Sequence, residues 1–390
     1  MLKFKINLKR YACGKTFEKG KYRMEIKKKI GIVAAKTPER HLQGNIYHIG
    51  RTLARKYHID IIGVKQGHHP SMDKWFHFKQ YTNIKTNNYI KLLFRDFINV
   101  YRYCKHEKPD LLFSVQHPYI GGVVITLIGK YFRIPAVVRY SGHTYTEWKC
   151  RDSLPSKIMS FLSQWLSDII FHSNSIITMD VSLAKELTQR GCNKKKINII
   201  PQFTDCSLFH PPIDKLQVKK KVGLENREKI ILYVPGGICA RKGVETLINI
   251  LPKIIKKNPH IFFCIAGVSE FGYGGKIKKI GGNNVLLLGN ISPHQLADYY
   301  RASDILIQLS WYESITRVLM EASASGLYVI ARDNEGASEI ADATFRKENE
   351  LIKLLLSNEA KYSLKNKLPF NFKWKFLEKK YLDVFERLLG

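Results

Sequence analysis

Acidic residues are scarce in this sequence: 33 Asp and Glu stand against 64 Lys and Arg in 390 residues, a formal net charge of +31. Three readings follow, in descending order. Much of the lysine sits beside Ile and Asn, which is a compositional bias without function. An anionic membrane surface is next, since each basic residue near it contributes about 1 kcal/mol of attraction. Nucleic acid is last, because no RNP-like, helix-turn-helix or zinc-finger pattern accompanies the charge. Long apolar runs are missing too. Stretches such as Val123 to Ile128 and Ile230 to Val234 fall far short of the roughly 20 residues that cross a bilayer. No apolar segment of secretory type follows the basic N-terminus. The seven cysteines (Cys13, Cys104, Cys150, Cys192, Cys206, Cys239, Cys264) are scattered, odd in number and free of any CxxC pair. That argues against a disulfide framework or a zinc site and for reduced thiols in a cytoplasmic protein. There is no HExxH, GxSxG, Walker lysine or clear DxD pattern. His68, His69 and His77 lie in HHPSMDKWFHF without a carboxylate cluster, so no metal and no cofactor is expected.

What is present is a globular mix, 45% hydrophobic and 25% charged, long enough for two domains. Residues 1–29 are lysine-rich without apolar periodicity and read as a basic, disordered arm; Met24 has the look of a natural start. From Ile30 the pattern alternates strand and helix, which predicts parallel sheets with crossover helices. In the first half the expected strands are Ile30–Ala35, Ile59–Val64, Pro109–Val115, Ala136–Tyr140 and Ile176–Met179, with a helix over Asn45–Lys56. Ile158, Phe161, Leu162, Trp165 and Ile169 share one helical face, read as packing on the sheet. After a proline-containing break between Gln202 and Glu228, a second unit alternates strands Lys229–Val234, Ile261–Ala266, Val285–Leu288, Ile305–Leu309 and Tyr328–Ala331 with helices Val244–Lys257, Pro293–Ala302 and Thr316–Ser325. Both halves look like Rossmann-type sheets, with ligand expected at the carboxyl ends of the strands.

Two local patterns carry chemistry. In Glu313-Ser-Ile-Thr-Arg-Val-Leu-Met-Glu321, Glu313 sits on a strand-to-helix loop, where exposed N–H groups and the helix dipole attract an anion. Glu321 lies about two turns along that helix and can face the same end of the sheet. One carboxylate can then accept hydrogen bonds from a sugar and the other from ribose. In Val234-Pro-Gly-Gly-Ile-Cys-Ala-Arg-Lys-Gly243 a strand ends, glycines permit close backbone approach and two cations precede a helix, a reasonable cradle for a diphosphate.

These stretches resemble the family 4 glycosyltransferases. Glu313 and Glu321 match the family's E-x7-E motif, and NNVLLLGNISPHQLADYYRASDILIQLSWYES and LMEASASGLYVIARDNEGASEI match its flanking segments, with Tyr328 where proline is usual. The Gly236 to Gly243 loop is similar to the family's G-R-L-x-x-x-K-G loop, in which Arg and Lys bind donor phosphates. Gly236, Lys242 and Gly243 match; Gly237 stands where the family has arginine, and Arg241 or Arg317 is the candidate substitute. In the first half, Gly44 matches the family's glycine loop, on the acceptor side, and His143 in IPAVVRYSGHTYTEW matches its polar cleft residue, a structural histidine being the competing reading. Asp205 and Phe209 match the end of the first-half pattern, Gln202-Phe-Thr replacing Asn-Gly-Val. The C-terminal segment matches the family's last helix, with Trp374 and Tyr381 as packing residues.

The resemblance implies the α/β GT-B fold: two Rossmann-like domains facing a central cleft, over residues 30–205 and 206–369, and a C-terminal helix, 370–390, that crosses back to the first. It implies retaining, metal-independent transfer of a sugar from a nucleotide-diphosphate sugar to an unidentified acceptor, such as a membrane-associated glycolipid or polysaccharide precursor. Glu313 and His143 are then the catalytic candidates, and Gly236, Gly237, Arg241, Lys242, Ser314, Ile315, Thr316, Arg317 and Glu321 hold the donor. The setting is cytoplasmic, peripheral to the inner face of an anionic membrane, with no specific nucleic-acid binding. A nucleotide-sugar epimerase of the same fold, or a non-catalytic nucleotide- or polyanion-binding protein, is the alternative.

Overall fold

The computed structural model describes residues 15–18, 21–24, 27–34, 46–63, 74–82, 84, 89–115, 118–141, 158, 164–311, 316–334, 337–358, 362, 365–369 and 372–390. Fifteen strands are found among them. Strands β1 (Lys15–Glu18) and β2 (Lys21–Met24) form an antiparallel pair within the basic N-terminal segment. The next seven are β3 (Lys29–Ala34), β4 (His58–Gly63), β5 (His77–Lys79), β6 (Leu111–Ser114), β7 (Ala136–Tyr140), β8 (Ser175–Thr178) and β9 (Ile197–Ile199). The last six are β10 (Lys229–Ile238), β11 (Ile261–Ser269), β12 (Val285–Gly289), β13 (Ile305–Gln308), β14 (Tyr328–Arg332) and β15 (Ala343–Phe345). They make a seven-stranded sheet in the order β5-β4-β3-β6-β7-β8-β9 and a six-stranded sheet in the order β12-β11-β10-β13-β14-β15. This is the α/β architecture that the alternating pattern predicts.

The chain divides into two compact units: Met1–Arg139, Ile169–Ile176 and Tyr381–Gly390 form one, Tyr140–Asp168 and Ile177–Lys380 the other. In the first, Ile30, Ile32, Ile59, Ile61, Leu111 and Phe113 bury fully or nearly so. Gly31 is a glycine because a Cβ there would meet the Tyr103 ring at 2.5 Å. The Tyr103 hydroxyl donates to the buried Asp60 carboxylate at 2.8 Å, and His58 lies 3.1 Å from its other oxygen. His77 stacks on His58, ring centroids 4.5 Å apart. The last turns of helix Trp374–Leu389 belong to this unit. Phe385 meets Phe113 edge-on at 5.1 Å, and Arg139 donates to the Tyr381 hydroxyl at 3.3 Å. Trp374, at the other end of that helix, packs on Phe203 in the second unit, centroids 4.4 Å apart.

The second unit shows why its strands read as continuous apolar runs: both faces of the sheet are covered. Along β10 the side chains alternate. Ile231 and Tyr233 join Val244, Leu247, Leu251, Ile277, Leu351 and Leu355 on one face, from helices Val244–Lys257, Tyr273–Gly281 and Glu348–Leu356. Ile230 and Leu232 join Ala297, Tyr300, Leu319 and Met320 on the other, from helices Pro293–Ala302 and Arg317–Ala324. Strand order reverses between β10 and β13, so the open crevice for a ligand lies outside their carboxyl ends.

Three local expectations change. Strand β10 continues through Pro235 and both glycines to Ile238, because Gly236 and Gly237 pair with Gly267 and Val268 after a register shift. The break before Glu228 holds a short helix, Lys215–Lys221, whose N-terminus Asp214 caps by accepting from Gln217 N–H. Of the apolar face drawn through Ile158, Phe161, Leu162, Trp165 and Ile169, Ile158 and Trp165 are exposed and Ile169 is half-buried, and a 3-10 turn over Asp168–His172 ends the helical period. Phe161 and Leu162 lie outside the described residues.

Candidate functional site

The turn after β10 is built from its backbone. Ala240–Lys242 make one 3-10 turn, closed by Lys242 N–H on Cys239 O at 3.0 Å and Gly243 N–H on Ala240 O at 2.8 Å. Gly243 has φ +78°, and a Cβ on it would sit 2.1 Å from Leu309 O, so two independent constraints demand glycine. The Tyr233 hydroxyl donates to Lys242 O at 2.7 Å, and Trp311 N–H donates to Arg241 O at 3.2 Å. The two cations thus ride on a turn fastened both to β10 and to the segment leaving β13. Gly243 is also the N-cap of helix Val244–Lys257 and supplies no side chain, which leaves first-turn N–H groups for an anion.

Gly236 and Gly237 lie in the paired part of β10 rather than in an open loop. Gly236 takes φ +76°, and a Cβ on its partner Gly267 would lie 2.9 Å from Gly236 O, so the two backbones approach as glycines can. At Gly237 a Cβ would point at the Glu270 carboxylate, 2.6 Å from Oε1. An arginine at 237 would therefore enter against an acid, not open space.

Across the crevice, Thr316 caps helix Arg317–Ala324: its hydroxyl accepts from Leu319 N–H at 3.4 Å and from Gln308 Nε2 at 3.1 Å. It is committed to the helix start, with Arg317 in the first turn. Glu321 is partly buried, and its Oε2 accepts a hydrogen bond from the Tyr300 hydroxyl at 3.1 Å. Burial pushes its carboxyl up to about 7; the Arg317 charge and the Tyr300 hydrogen bond hold it from rising further. Tyr300 is itself buried, with Phe209 edge-on to its ring at 5.6 Å, and its hydroxyl is driven well above the ordinary tyrosine value. A carboxylate held this way is poised to accept from ligand hydroxyls. Glu313, Ser314, Ile315, His143 and Gly44 lie outside the described residues.

The fold adds residues that sequence reasoning missed. Arg332, the last residue of β14, is only 7% exposed. Its Nε donates to Leu309 O at 3.0 Å, its Nη2 to the Thr246 hydroxyl at 2.8 Å, and its guanidinium lies 3.8 Å from the Trp311 ring centroid. Asn334 donates to Ser310 O at 2.8 Å. Both are brought against the segment leaving β13 by strand order. The one legible signal was position: all follow the carboxyl end of a strand.

The family profile described as Glycosyltransferase Family 4 matches residues 45–208, and that described as Glycosyl transferases group 1 matches residues 214–360. A D-inositol 3-phosphate glycosyltransferase of Segniliparus rotundus is 26% identical over 227 residues, 55% of this chain and 49% of that protein. The chain spans about half the length of several curated relatives it matches. Among solved structures, sucrose-phosphate synthase from Thermosynechococcus elongatus superposes with TM-score 0.70 at 18% identity, covering 93% of this chain and 99% of that one. Anabaena HepE in complex with UDP-glucose gives TM-score 0.71 at 16% identity, covering 92% and 99%.

Proposed function

The chain belongs to glycosyltransferase family 4 and has its GT-B fold, and from that premise we propose that it transfers a sugar from a nucleoside-diphosphate sugar to an acceptor hydroxyl. The observation that carries the reading is the Trp311–Arg241 backbone hydrogen bond, which ties the cationic turn after β10 to the segment after β13 at the switch point. Arg241, Lys242 and the first-turn N–H groups of helix Val244–Lys257 receive the diphosphate, and Glu321 accepts from the ribose hydroxyls. The UDP-glucose held by HepE supports a donor of this class.

In this reading Glu313 lies at the donor sugar, and the N–H groups of Ser314, Ile315 and Thr316 share the diphosphate with Arg317. His143 and Gly44 serve the acceptor side. Fixed cations and N–H groups stabilise a leaving diphosphate by several kcal/mol together, which supports a metal-independent reaction. Retention of anomeric configuration is the stereochemistry the family implies.

The acceptor is proposed to lie at an anionic membrane surface, as a glycolipid or polysaccharide precursor, with the protein peripheral to the cytoplasmic face. No helix among the described residues is long and apolar enough to cross a membrane. Two neighbouring helices of the first unit support surface contact instead. Ile90, Phe94 and Phe97 are exposed on Tyr89–Glu107, and Leu127 and Tyr131 on Val123–Phe132. Lys91, Arg102, Lys105 and Lys130 are exposed on the same two helices. The test of the enzymatic claim is release of nucleoside diphosphate from a panel of nucleotide sugars. One donor is expected to be consumed, and Glu321→Ala to lower kcat/KM for it by about tenfold or more; a full panel without turnover, in the presence of lipid-linked and soluble acceptors, would sink it.

A further inference from the structure

On the face of the second sheet away from Glu321, a cavity of about 500 Å³ opens between helices Val244–Lys257 and Glu348–Leu356. Its lining includes Thr246, Trp311, the cations Lys253, Arg332, Arg346 and Lys347, and the acid Glu348. Four cations line it. Three carboxylates answer them: Asp333 accepts from Arg346 at 2.6 Å, Glu348 lies 3.8 Å from Lys253, and Glu350 accepts from the Arg346 and Lys347 N–H groups at 2.8 and 3.2 Å. The cluster therefore carries one positive charge in excess.

The deepest cation makes the imbalance costly. Arg332 is more than nine-tenths buried, and the groups it touches are neutral: a backbone carbonyl, the Thr246 hydroxyl and two aromatic faces. No carboxylate lies within ion-pair distance of it among the described residues. Burial lowers the Arg332 pKa while the Glu348 charge, beyond ion-pair distance, partly offsets it; a guanidinium so withdrawn from water is favoured by an anion that completes the site. The excess positive charge, a planar donor and flexible ammonium groups around it suit a phosphate group.

We propose that this cavity is a second anion site, for inorganic phosphate or the phosphate group of a small phosphomonoester, separate from the donor site and coupled to it. The coupling runs through shared atoms. Leu309 O accepts from Arg332 and is also the atom against which Gly243 packs. Trp311 walls the cavity under the Arg332 guanidinium and donates its N–H to Arg241 O. An anion that fixes Arg332 and Trp311 also fixes the turn bearing Arg241 and Lys242, so it raises nucleotide affinity, and nucleotide raises anion affinity by the same factor.

The experiment is calorimetric titration of inorganic phosphate, and separately of a hexose 6-phosphate, into the full chain alone and saturated with UDP. Saturable binding is expected in both states, about fivefold tighter with UDP; the tighter of the two titrants tells the free ion from the phosphomonoester. Lys253→Ala/Arg346→Ala, two exposed positions outside the donor turn, is expected to weaken phosphate at least tenfold while leaving UDP affinity in phosphate-free buffer unchanged. The titration without UDP reads this site whether or not the proposed donor site binds nucleotide. Absence of saturable binding, displacement of phosphate by UDP, or a double variant that binds like the parent would each overturn the proposal.

Discussion

Glu321 shows how a single residue can report on the whole site. Its carboxyl titrates near 7 in the fold and near 4.5 when exposed. Between those values the native state keeps a proton that the unfolded chain has released, so stability falls as pH rises and the full penalty is present above about 7. Glu321→Gln removes that penalty. Its Tm should match the parent near pH 4.5 and exceed it by pH 8, by the equivalent of about 1–2 kcal/mol given the partial exposure of the group. Parallel Tm profiles would show that burial does not govern this carboxyl. Gly237 makes a second case. The sequence marked it as a missing phosphate cation; the fold supplies the local circumstance, a Glu270 carboxylate where the side chain would emerge. Gly237→Arg alone should pair with Glu270 and change nucleotide affinity little. With Glu270→Ala added, the freed guanidinium should tighten UDP about tenfold; equal affinities in the single and double variants would remove Glu270 from the account. Arg332, Trp311 and Glu270 were illegible because nothing local distinguishes them. They acquire a role only when β11, β13 and β14 are set beside β10.

At the scale of elements, legibility followed how completely a segment obeys one period. Helix Val244–Lys257 was read to the residue because its buried set, Val244, Leu247, Ile250, Leu251 and Ile254, has helical spacing throughout. Helix Tyr89–Glu107 was not assigned. Its inward face carries Arg95, Asp96 and Asn99, all buried, while Ile90, Phe94 and Phe97 point outward. With Leu92, Val100, Tyr103 and Cys104 also buried, polar residues inside and apolar residues outside blur the usual signal, and the exposed apolar residues support a surface partner. Phe94→Ser and Tyr131→Ser, both at exposed positions, should leave Tm within about 1 kcal/mol of the parent. They should reduce co-sedimentation with vesicles containing anionic lipid severalfold, with little binding to neutral vesicles in any variant. Undiminished binding by the double variant would move the contact elsewhere. The turn after β10 behaves as an element too. Gly243→Ala meets both a positive φ and Leu309 O, so it should lower unfolding stability by about 2 kcal/mol or more and weaken nucleotide with it.

At the scale of the molecule, the fold class was legible because strand–helix alternation leaves few topologies for a chain of this length. The second half was read in more detail than the first for a physical reason. Its candidate ligand groups are carried by short contiguous segments after β10 and β13, so one stretch of sequence reports both the strand and the group it positions. In the first half the candidates Gly44 and His143 are isolated positions far apart in sequence. The seven-stranded sheet itself was visible through β3, β4, β6, β7 and β8. Strands β5 and β9, three residues each, are too short for a periodic signal.

The central claim is that the turn after β10 grips a nucleoside diphosphate, and the most direct measurement is a calorimetric titration of UDP into the parent and Lys242→Ala in phosphate-free buffer, with GDP and ADP run alongside. The account predicts saturable, one-to-one binding of one of these nucleotides. At 100-fold excess over Kd it should stabilise the protein by about 2.7 kcal/mol. Lys242→Ala should weaken it at least tenfold without lowering Tm in the absence of ligand. Binding unaffected by Lys242→Ala, or none by any of the three, would contradict it.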